Sequence, residues 1–357
     1  MQFPTFLAPD FEREPFLSAP DVTTEPAGDG FLPENFYATT IYPEYFKING
    51  KWIMLRQSRM DCAVVIRDGV PVVTEPRRVK SGDRVVVGRT DDGTAGVYVH
   101  ARCFADGRES ADGAFAFRTG QSRETSFSRE YDTLYEILKN DRDKGYIVWV
   151  LGPACVFDYD SRNAMTSLIR KGYCDCLFAG NALATHDLEA ALFHTGLGQD
   201  IYTKEHIPNG HYHHLHTINL VRRAGSIPQF LKDYHLDTGV MHALVTTGTP
   251  FVLAGSIRDD GPLPEVIGNV YDAQNAMREH TRKATTVICL ATQLHTIATG
   301  NMTPAYCETA DGIRPVYIYS VDISEFAVNK LHDRGSLSVK GLVTNTQDFL
   351  VNLDRNL

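Results

Sequence analysis

The chain has 357 residues, a formal net charge of -9, and a composition that is 43% hydrophobic and 22% charged. Its length exceeds a typical domain of roughly 100–200 residues, so the ordinary globular composition predicts two folded domains. The acidic balance, broken only by short basic pairs, argues against nucleic-acid binding, and no apolar run approaches the ~20 residues that span a bilayer. Because the first residues also lack a signal-peptide pattern, we expect a cytoplasmic protein without membrane partners.

The N-terminal third is predicted to contain a leader and a β-rich domain. Residues 1–30 hold several Pro and acidic residues without a sustained period, which predicts an extended leader. In residues 31–125, short apolar runs are punctuated by Gly, Asp and Pro, as is typical of antiparallel strands. These runs occupy residues 52–55, 62–66, 70–73, 84–87 and 96–99.

Residues 126–357 are predicted to form a Rossmann-like domain. A helical period covers residues 125–139, where Tyr131, Leu134 and Ile137 are spaced for one face of a helix. Unbroken apolar runs then alternate with helical patterns, which indicates a parallel sheet covered on both faces. The runs occupy residues 147–151, 176–179, 251–254, 287–291, 316–321 and 342–344. The predicted fold class is therefore α/β, with a doubly wound parallel sheet after a β-rich domain.

The cysteines and a histidine-rich run raise the questions of a nucleophile and a metal. The seven cysteines form an odd set without a CxxC pair, so we expect them to be mostly reduced and buried. Cys62 is interpreted as a buried strand cysteine, since a nucleophile would need a base within hydrogen-bond reach. The run from His211 to His216 lacks an HExxH pattern or a further ligand at suitable spacing. We therefore expect no metal, and favour a helix start or a solvated surface there.

Polar residues follow the predicted parallel strands at the positions where open sheets bind ligands. His186 and Asp187, after the run 176–179, are candidates for an acid/base group and its orienting partner. Neighbouring helical residues diverge by about 100°, so only one of the two is expected to face the site. In the structural alternative, Thr185 and Asp187 begin a helix.

The segment 286–322 predicts a dinucleotide site, because it forms a strand, a helix and a second strand that ends in Asp322. A carboxylate at that position can accept hydrogen bonds from ribose hydroxyls, while a helix start near Thr292 offers N–H groups to a pyrophosphate. The G-x-G-x-x-G pattern is absent. Alternatively, Asp322 caps the next helix at 324–332, and the two roles can coexist.

The loop after the run 251–254 contains Arg258, Asp259 and Asp260 between glycines and prolines. A guanidinium fits a substrate or phosphate anion, and a carboxylate fits an ammonium. The alternative is an ordinary turn with a local Arg–Asp pair.

Several stretches resemble the archaeal-type ornithine cyclodeaminases. The resemblance extends from about Gly30 to the end of the chain, and it is carried by GNALATHDLE at 180–189, RRAGSI at 222–227, PFVLAGSIRDDGPLP at 250–264 and GNM at 300–302. FYATT at 36–40 and MDC at 60–62 also match. The same family forms the C-terminal part of bifunctional arginine dihydrolase/ornithine cyclodeaminases, and some members carry LOR/SDH labels. In this chain a Pro-rich leader takes the place of a further N-terminal segment, the loop 303–314 is long, and Asn345 replaces a common Asp.

The resemblance implies a Rossmann-like domain that binds NAD and converts L-ornithine to L-proline and ammonia. It implies that the cofactor is lined by Asn181, Ala182, Asp260, Thr292, Gln293, Leu294, His295, Asp322, Asn345 and Thr346. For catalysis we expect Arg258 to anchor the α-carboxylate, and His186, Asp187 and His295 to compete for the acid/base role. We also expect a homo-oligomer acting on a small amino acid.

Two alternatives remain open from the sequence. One is NAD-linked oxidation of another amino acid or a polyamine with net release of NADH. The other is a non-catalytic module that senses NAD or an amino acid.

Overall fold

Short antiparallel sheets make up the N-terminal part of the computed structural model, which describes residues 3–105, 127–259, 261–332 and 339–357. A four-stranded sheet has the order β2-β7-β5-β6, a three-stranded sheet has the order β4-β3-β8, and β1 pairs with β9. The strands are β1 (Thr5–Phe6), β2 (Thr24–Pro26), β3 (Glu44–Ile48), β4 (Lys51–Met54), β5 (Ala63–Arg67), β6 (Val70–Thr74), β7 (Arg84–Val86), β8 (Val97–Val99) and β9 (Phe104–Ala105). A 3-10 helix covers Pro76–Arg78.

The predicted leader contributes strands to these sheets, because β1 and β2 both lie within the first 30 residues. It is also held by Lys47, whose ammonium donates to the carbonyl oxygens of Phe16, Leu17 and Ala19 at 3.1, 3.0 and 2.7 Å. The predicted boundary at 125–126 lies outside the described residues. The boundaries of the three predicted segments therefore remain predictions.

A seven-stranded parallel sheet dominates the rest of the chain, with the order β15-β14-β11-β10-β16-β19-β20. Two small hairpins accompany it. The strands of this part are β10 (Ile147–Leu151), β11 (Cys176–Gly180), β12 (Thr195–Gly196), β13 (Gln199–Asp200), β14 (Phe251–Ala254), β15 (Val266–Ile267), β16 (Thr286–Leu290), β17 (Tyr306–Thr309), β18 (Gly312–Pro315), β19 (Tyr317–Asp322) and β20 (Val339–Val343).

Helices cover both faces of this sheet. They are α1 (Ser128–Lys144), α2 (Tyr159–Arg170), α3 (Asn181–Phe193), α4 (Gly210–Ala224), α5 (Ile227–Asp233), α6 (Val240–Thr247), α7 (Val270–Thr281), α8 (Gln293–Met302), α9 (Glu325–His332) and α10 (Thr346–Asn356), with a 3-10 helix at Pro153–Val156. The central strand shows why both faces need cover: Trp149 packs into one core cluster, while its neighbours Val148 and Val150 pack into the other. The predicted doubly wound α/β fold is confirmed.

The strand order fixes where a ligand can enter. The chain proceeds from β10 outwards through β11 and β14, then returns to place β16 on the other side of β10. The carboxyl ends of β10 and β16 therefore mark the topological switch point, where doubly wound sheets open a crevice. The parallel pairing puts the ends of all the main strands on this edge.

The seven cysteines are all free and buried, which agrees with the sequence-based expectation. Burial raises the pKa of the Cys62 thiol to about 11, which disfavours the thiolate needed for a nucleophile. Among the described helices, none combines the length and the apolar character needed to cross a bilayer.

Candidate active site

At the switch point, two backbone segments approach each other closely. A Cβ on Gly152, directly after β10, would lie only 1.9 Å from the carbonyl oxygen of Ala291. Ala291 follows β16 and has a φ of 50°, a left-handed conformation that costs a residue with a side chain about 1–3 kcal/mol. The Gly152 N–H also donates to the carbonyl of Leu290 at 2.8 Å. Glycine is thus required to bring these two strand exits together.

Two helices begin at this crevice without a side-chain cap. The N-cap of α3 is Gly180, and the N-cap of α8 is Thr292, whose side chain makes no capping hydrogen bond. By contrast, Asp158 accepts from two N–H groups of α2, and Asn269 does the same for α7. Free N–H groups and the positive end of the helix dipole attract phosphate oxygens. The two uncapped helices therefore suit a pyrophosphate.

His295 reaches across the switch point from the first turn of α8. Its Cε1 lies 3.5 Å from the position that a Cβ on Gly180 would occupy, although β10 separates the two parent strands. Burial lowers the pKa of His295, which favours the neutral imidazole. A neutral ring carries both a donor and an acceptor nitrogen, which suits contact with a polar ligand group.

A buried histidine–glutamate pair lies one turn deeper along α3. His186 Nδ1 is 2.9 Å from Glu189 Oε2, and the carboxylate is fully buried. The other oxygen of Glu189 accepts from the hydroxyl of Thr195 at 2.9 Å. The ring of His186 also packs edge-on against Phe157, which follows the exit of β10, with ring centroids 4.8 Å apart. The pair therefore lies beside the crevice.

His214 brings α4 against the same pair. Its ring lies 4.5 Å from that of His186, between centroids. Its Nδ1 is buried without a hydrogen-bond partner among the described residues, and is 3.9 Å from Glu189 Oε2. Burial and the neighbouring His186 lower the pKa of His214. The cluster is thus a histidine pair around one carboxylate.

The chain matches one protein family along most of its length. The family model described as "Arginine dihydrolase ArgZ-like, C-terminal, Rossmann fold" matches residues 132–353, and the model for the first region of the same C-terminal part matches residues 43–126. An ornithine cyclodeaminase of Methanopyrus kandleri is 40% identical over 341 residues, which cover 94% of this chain and 78% of that protein. The chain belongs to the ArgZ-like ornithine cyclodeaminase family.

Solved structures of this family have the same fold. The crystal structure of a conserved LOR/SDH-labelled protein from Methanococcus maripaludis S2 is 34% identical, with a TM-score of 0.86, and the match covers 95% of this chain and 98% of that one. A ternary complex of AgrE with ornithine and NAD+ is 34% identical, with a TM-score of 0.60. That match covers 95% of this chain and 46% of AgrE.

Most cofactor residues expected from the family resemblance lie on the crevice edge. Asn181 and Ala182 begin α3, Thr292 to His295 begin α8, and Asn345 and Thr346 begin α10. Asn181 is buried, and its side-chain oxygen accepts from the N–H of Leu263 at 3.0 Å, which holds the loop after β14 over the start of α3. The side chain of Asn345 caps α10 by accepting from Gln347 N–H at 2.8 Å.

Asp322 ends β19 at the same edge, as the sequence predicted. One of its oxygens accepts from the Ser324 N–H at 2.9 Å, in the turn before α9. The cap of α9 is Ser324, whose hydroxyl accepts from the Ala327 N–H at 3.4 Å, so Asp322 holds the turn before the helix and does not itself cap it, unlike the alternative that the sequence allowed. The side chain is only half-buried, so its other carboxylate oxygen can accept a hydrogen bond from a ligand.

Arg258 lies in the loop after β14 and is exposed. Asp259 accepts from the Ser256 N–H at 2.8 Å and so forms a turn in this loop, and the alternative of a local Arg–Asp pair stays open. Asp260 lies outside the described residues. The loop itself is close to the crevice, because Leu263 contacts Asn181.

Asp187 is not brought to the crevice, and this corrects the expectation that it competes for the acid/base role. Its carboxylate is fully buried and accepts from Arg162 Nε at 2.7 Å, Val240 N–H at 3.0 Å and Met241 N–H at 2.7 Å. The side chain therefore caps α6 and neutralises a buried guanidinium. The helical alternative also needs correction, since α3 begins at Asn181, four residues earlier than Thr185.

Replacing Asp187 with asparagine should destabilise the protein by about 3 kcal/mol, because the substitution leaves the buried Arg162 without its counter-charge. Chemical denaturation would measure the change in the free energy of unfolding. Asp143→Asn is the matched control, since Asp143 pairs with Arg142 at the surface and its loss should have little effect. If Asp187→Asn kept full stability but lost turnover, Asp187 would return to the list of catalytic candidates.

Sequence reasoning missed Glu189 and the partnership of His214 with α3. The run 211–216 was predicted to be a helix start or a solvated surface, and α4 does begin at Gly210. His186, Glu189 and His214 place their ligand atoms within 4.8 Å of one another, a spacing compatible with a metal ion. The direct bond between His186 and Glu189 accounts for the same geometry without an ion. The expectation of no metal remains a prediction.

Proposed function

We propose that this chain is an NAD-dependent cyclodeaminase that converts L-ornithine to L-proline and ammonia. The observation that carries the proposal is the crevice at the switch point, where two uncapped helices meet beside a buried histidine–glutamate pair. The AgrE complex with ornithine and NAD+ supports both the cofactor and the substrate, because AgrE is a structural neighbour in the same family. The chain thus acts as an enzyme of ornithine metabolism.

The crevice fits NAD on its own geometry. Helices α3 and α8 direct free N–H groups to the place where Gly152 removes the steric barrier between strand exits. Asp322 and the starts of α8 and α10 extend the polar edge over further strands, as an elongated dinucleotide requires. When bound, NAD supplies a reversible hydride acceptor, which takes a hydride from the substrate α-carbon and returns it to that carbon after ring closure.

The protein's own residues bind the charged groups of the substrate and transfer protons to and from its amines. We assign Arg258 to the α-carboxylate, because an exposed guanidinium on a loop above α3 can form two hydrogen bonds with it. His186 is assigned to proton transfer, since the terminal amine must lose a proton to attack and the departing ammonia must gain one. Glu189 orients the ring of His186 through Nδ1, and Phe157 keeps water away from one side of it.

An isotope experiment tests the reaction. Ornithine deuterated at the α-carbon should give proline that retains deuterium at that carbon, because the same carbon loses and regains the hydride in a closed crevice. NAD should be needed only in catalytic amounts, without growth of the NADH absorbance. Mass spectrometry of proline formed from a mixture of labelled and unlabelled ornithine measures the retention.

Two other outcomes identify the rival functions. Accumulation of deuterated NADH would indicate simple oxidation of an amino acid or polyamine, and loss of the label to water would indicate a route without hydride transfer. Saturable NAD binding without turnover of ornithine or related diamino acids would favour a sensor. Metal analysis of the active preparation, repeated after dialysis against a chelator, tests the expectation that turnover needs no ion.

A further inference from the structure

An arginine-rich cavity of about 440 Å³ lies between the N-terminal sheets and helix α7, away from the crevice. The cavity is lined by five arginines: Arg56, Arg59, Arg78, Arg278 and Arg282. Two carboxylates, Glu75 and Glu279, face the same space. The local charge is therefore positive in a chain whose formal net charge is -9.

The two carboxylates are already engaged by guanidinium groups. Glu75 contacts Arg59 at 2.5 Å, and it also contacts Arg77 and Arg78 at 2.9 and 2.7 Å. Glu279 pairs with Arg282. These pairs leave donor capacity unused, since each arginine has five N–H groups.

Two of the unused donors are buried. Arg59 Nε and Arg282 Nε have no hydrogen-bond partner within the described ranges, and both residues line the cavity. An unsatisfied buried donor on a charged group is costly, so native proteins normally supply it with an acceptor. Neither residue belongs to the crevice.

Arg278 shows that the carboxylates around the cavity do not balance its positive charge. Its guanidinium donates to the carbonyl oxygens of Met302 and Gln57, so it is held in place by backbone groups that carry no charge. Burial, together with the nearby Arg59 and Arg282, lowers the pKa of Arg278 to about 10. An anion bound in the cavity would offset the repulsion between these guanidinium groups.

We propose that this cavity binds a phosphate-type oxyanion, either inorganic phosphate or the phosphate group of a metabolite. Planar guanidinium groups bind phosphate oxygens in pairs, which lysine cannot do. Arg59 lies in the loop between β4 and β5, whereas Arg278 and Arg282 come from α7 and the turn after it. The anion therefore bridges the two parts of the chain.

The cavity is separate from the dinucleotide crevice. Arg282 lies just before β16, at its amino end, whereas Thr292 lies just after the carboxyl end of the same strand. A five-residue strand spans roughly 16 Å. The two ligands therefore bind at opposite edges of the sheet.

Calorimetric titration with inorganic phosphate, in a low-salt chloride-free buffer, tests the proposal. The wild-type protein should bind phosphate saturably, and Arg282→Gln and Arg56→Gln should each weaken it about tenfold or more, the loss typical of one charge-assisted contact. Arg142→Gln removes the same charge from an exposed arginine outside the cavity and should leave the affinity unchanged. A second titration with glycerol 3-phosphate distinguishes the sources, because tighter binding of the ester indicates a metabolite.

Several results would overturn the proposal. Equal weakening in Arg142→Gln would mean an adventitious ion only, held by net charge. Absence of saturable phosphate binding in a folded wild-type protein would remove the site, and phosphate affinity that falls as protein concentration rises would assign the cavity to contact between copies. NAD titration of each variant separates this proposal from the proposed function, since the arginine variants should keep the wild-type affinity for NAD.

Discussion

Gly152→Ala is expected to abolish measurable NAD binding, with a loss of affinity of at least about 100-fold. The added methyl group would lie 1.9 Å from the carbonyl oxygen of Ala291, so two backbone segments must separate. Flexible side chains cannot absorb this overlap, and the displaced segment contains Thr292, the N-cap of α8. The free energy of unfolding should also fall by about 1–3 kcal/mol, as for other overpacked sites.

Gly268→Ala is the matched control for this substitution. A Cβ at Gly268 meets no atom within 4 Å, so the same change of residue type has space there. Isothermal titration with NAD and thermal unfolding should be measured for both variants. Wild-type affinity in Gly152→Ala, or equal loss in both variants, would contradict the role assigned to the close approach.

The parallel sheet could be predicted from the sequence because its strands are buried on both faces. The apolar runs 147–151 and 251–254 coincide with β10 and β14, and the other runs shift by only a few residues. β3 was missed because it contains Glu44 and Lys47, both buried. Glu44 accepts from the Tyr37 hydroxyl at 2.9 Å and the Thr40 N–H at 2.7 Å, partners that no local period reveals.

The edge of the sheet that holds the candidate site was also predictable, whereas the partners of its residues were not. Parallel pairing alone places the exits of successive strands together, so Asn181, Thr292 and Asp322 share one edge. By contrast, the contact of His214 with His186 depends on how α4 packs against α3. The one local signal was the spacing of three residues between His186 and Glu189, which puts both on one face of a helix.

The role of Asp187 illustrates the same limit. Because neighbouring residues on a helix point in different directions, the sequence predicted that only one of His186 and Asp187 faces the crevice. It did not indicate which one. That choice is made by Arg162 on α2 and by the N–H groups that begin α6, which surround the Asp187 carboxylate. Tertiary contacts thus decide which of two equally plausible residues remains available for chemistry.

Removing the buried pair on α3 should have the largest effect on turnover. His186→Asn is expected to lower kcat by about 100- to 10,000-fold, the usual contribution of a positioned acid/base group. Glu189→Gln retains the shape and the oxygen that accepts from Thr195, but it replaces the carboxylate oxygen that holds His186 Nδ1. We therefore expect a smaller loss of kcat for Glu189→Gln, with KM and the affinity for NAD near their wild-type values.

If the pair had only a structural role, the variants would lose stability rather than kcat. Measuring both quantities therefore distinguishes the two roles. If His186 and Glu189 only hold α3 against α4, both variants should lose thermal stability and the folded fraction should turn over ornithine at the wild-type rate. His211→Asn is the matched control, because His211 is exposed at the start of α4 and has no part in the cluster. A kcat loss confined to the two buried positions assigns proton transfer to His186, since a neutral amide at position 186 can still pack against Phe157 but cannot exchange a proton with the reacting amines.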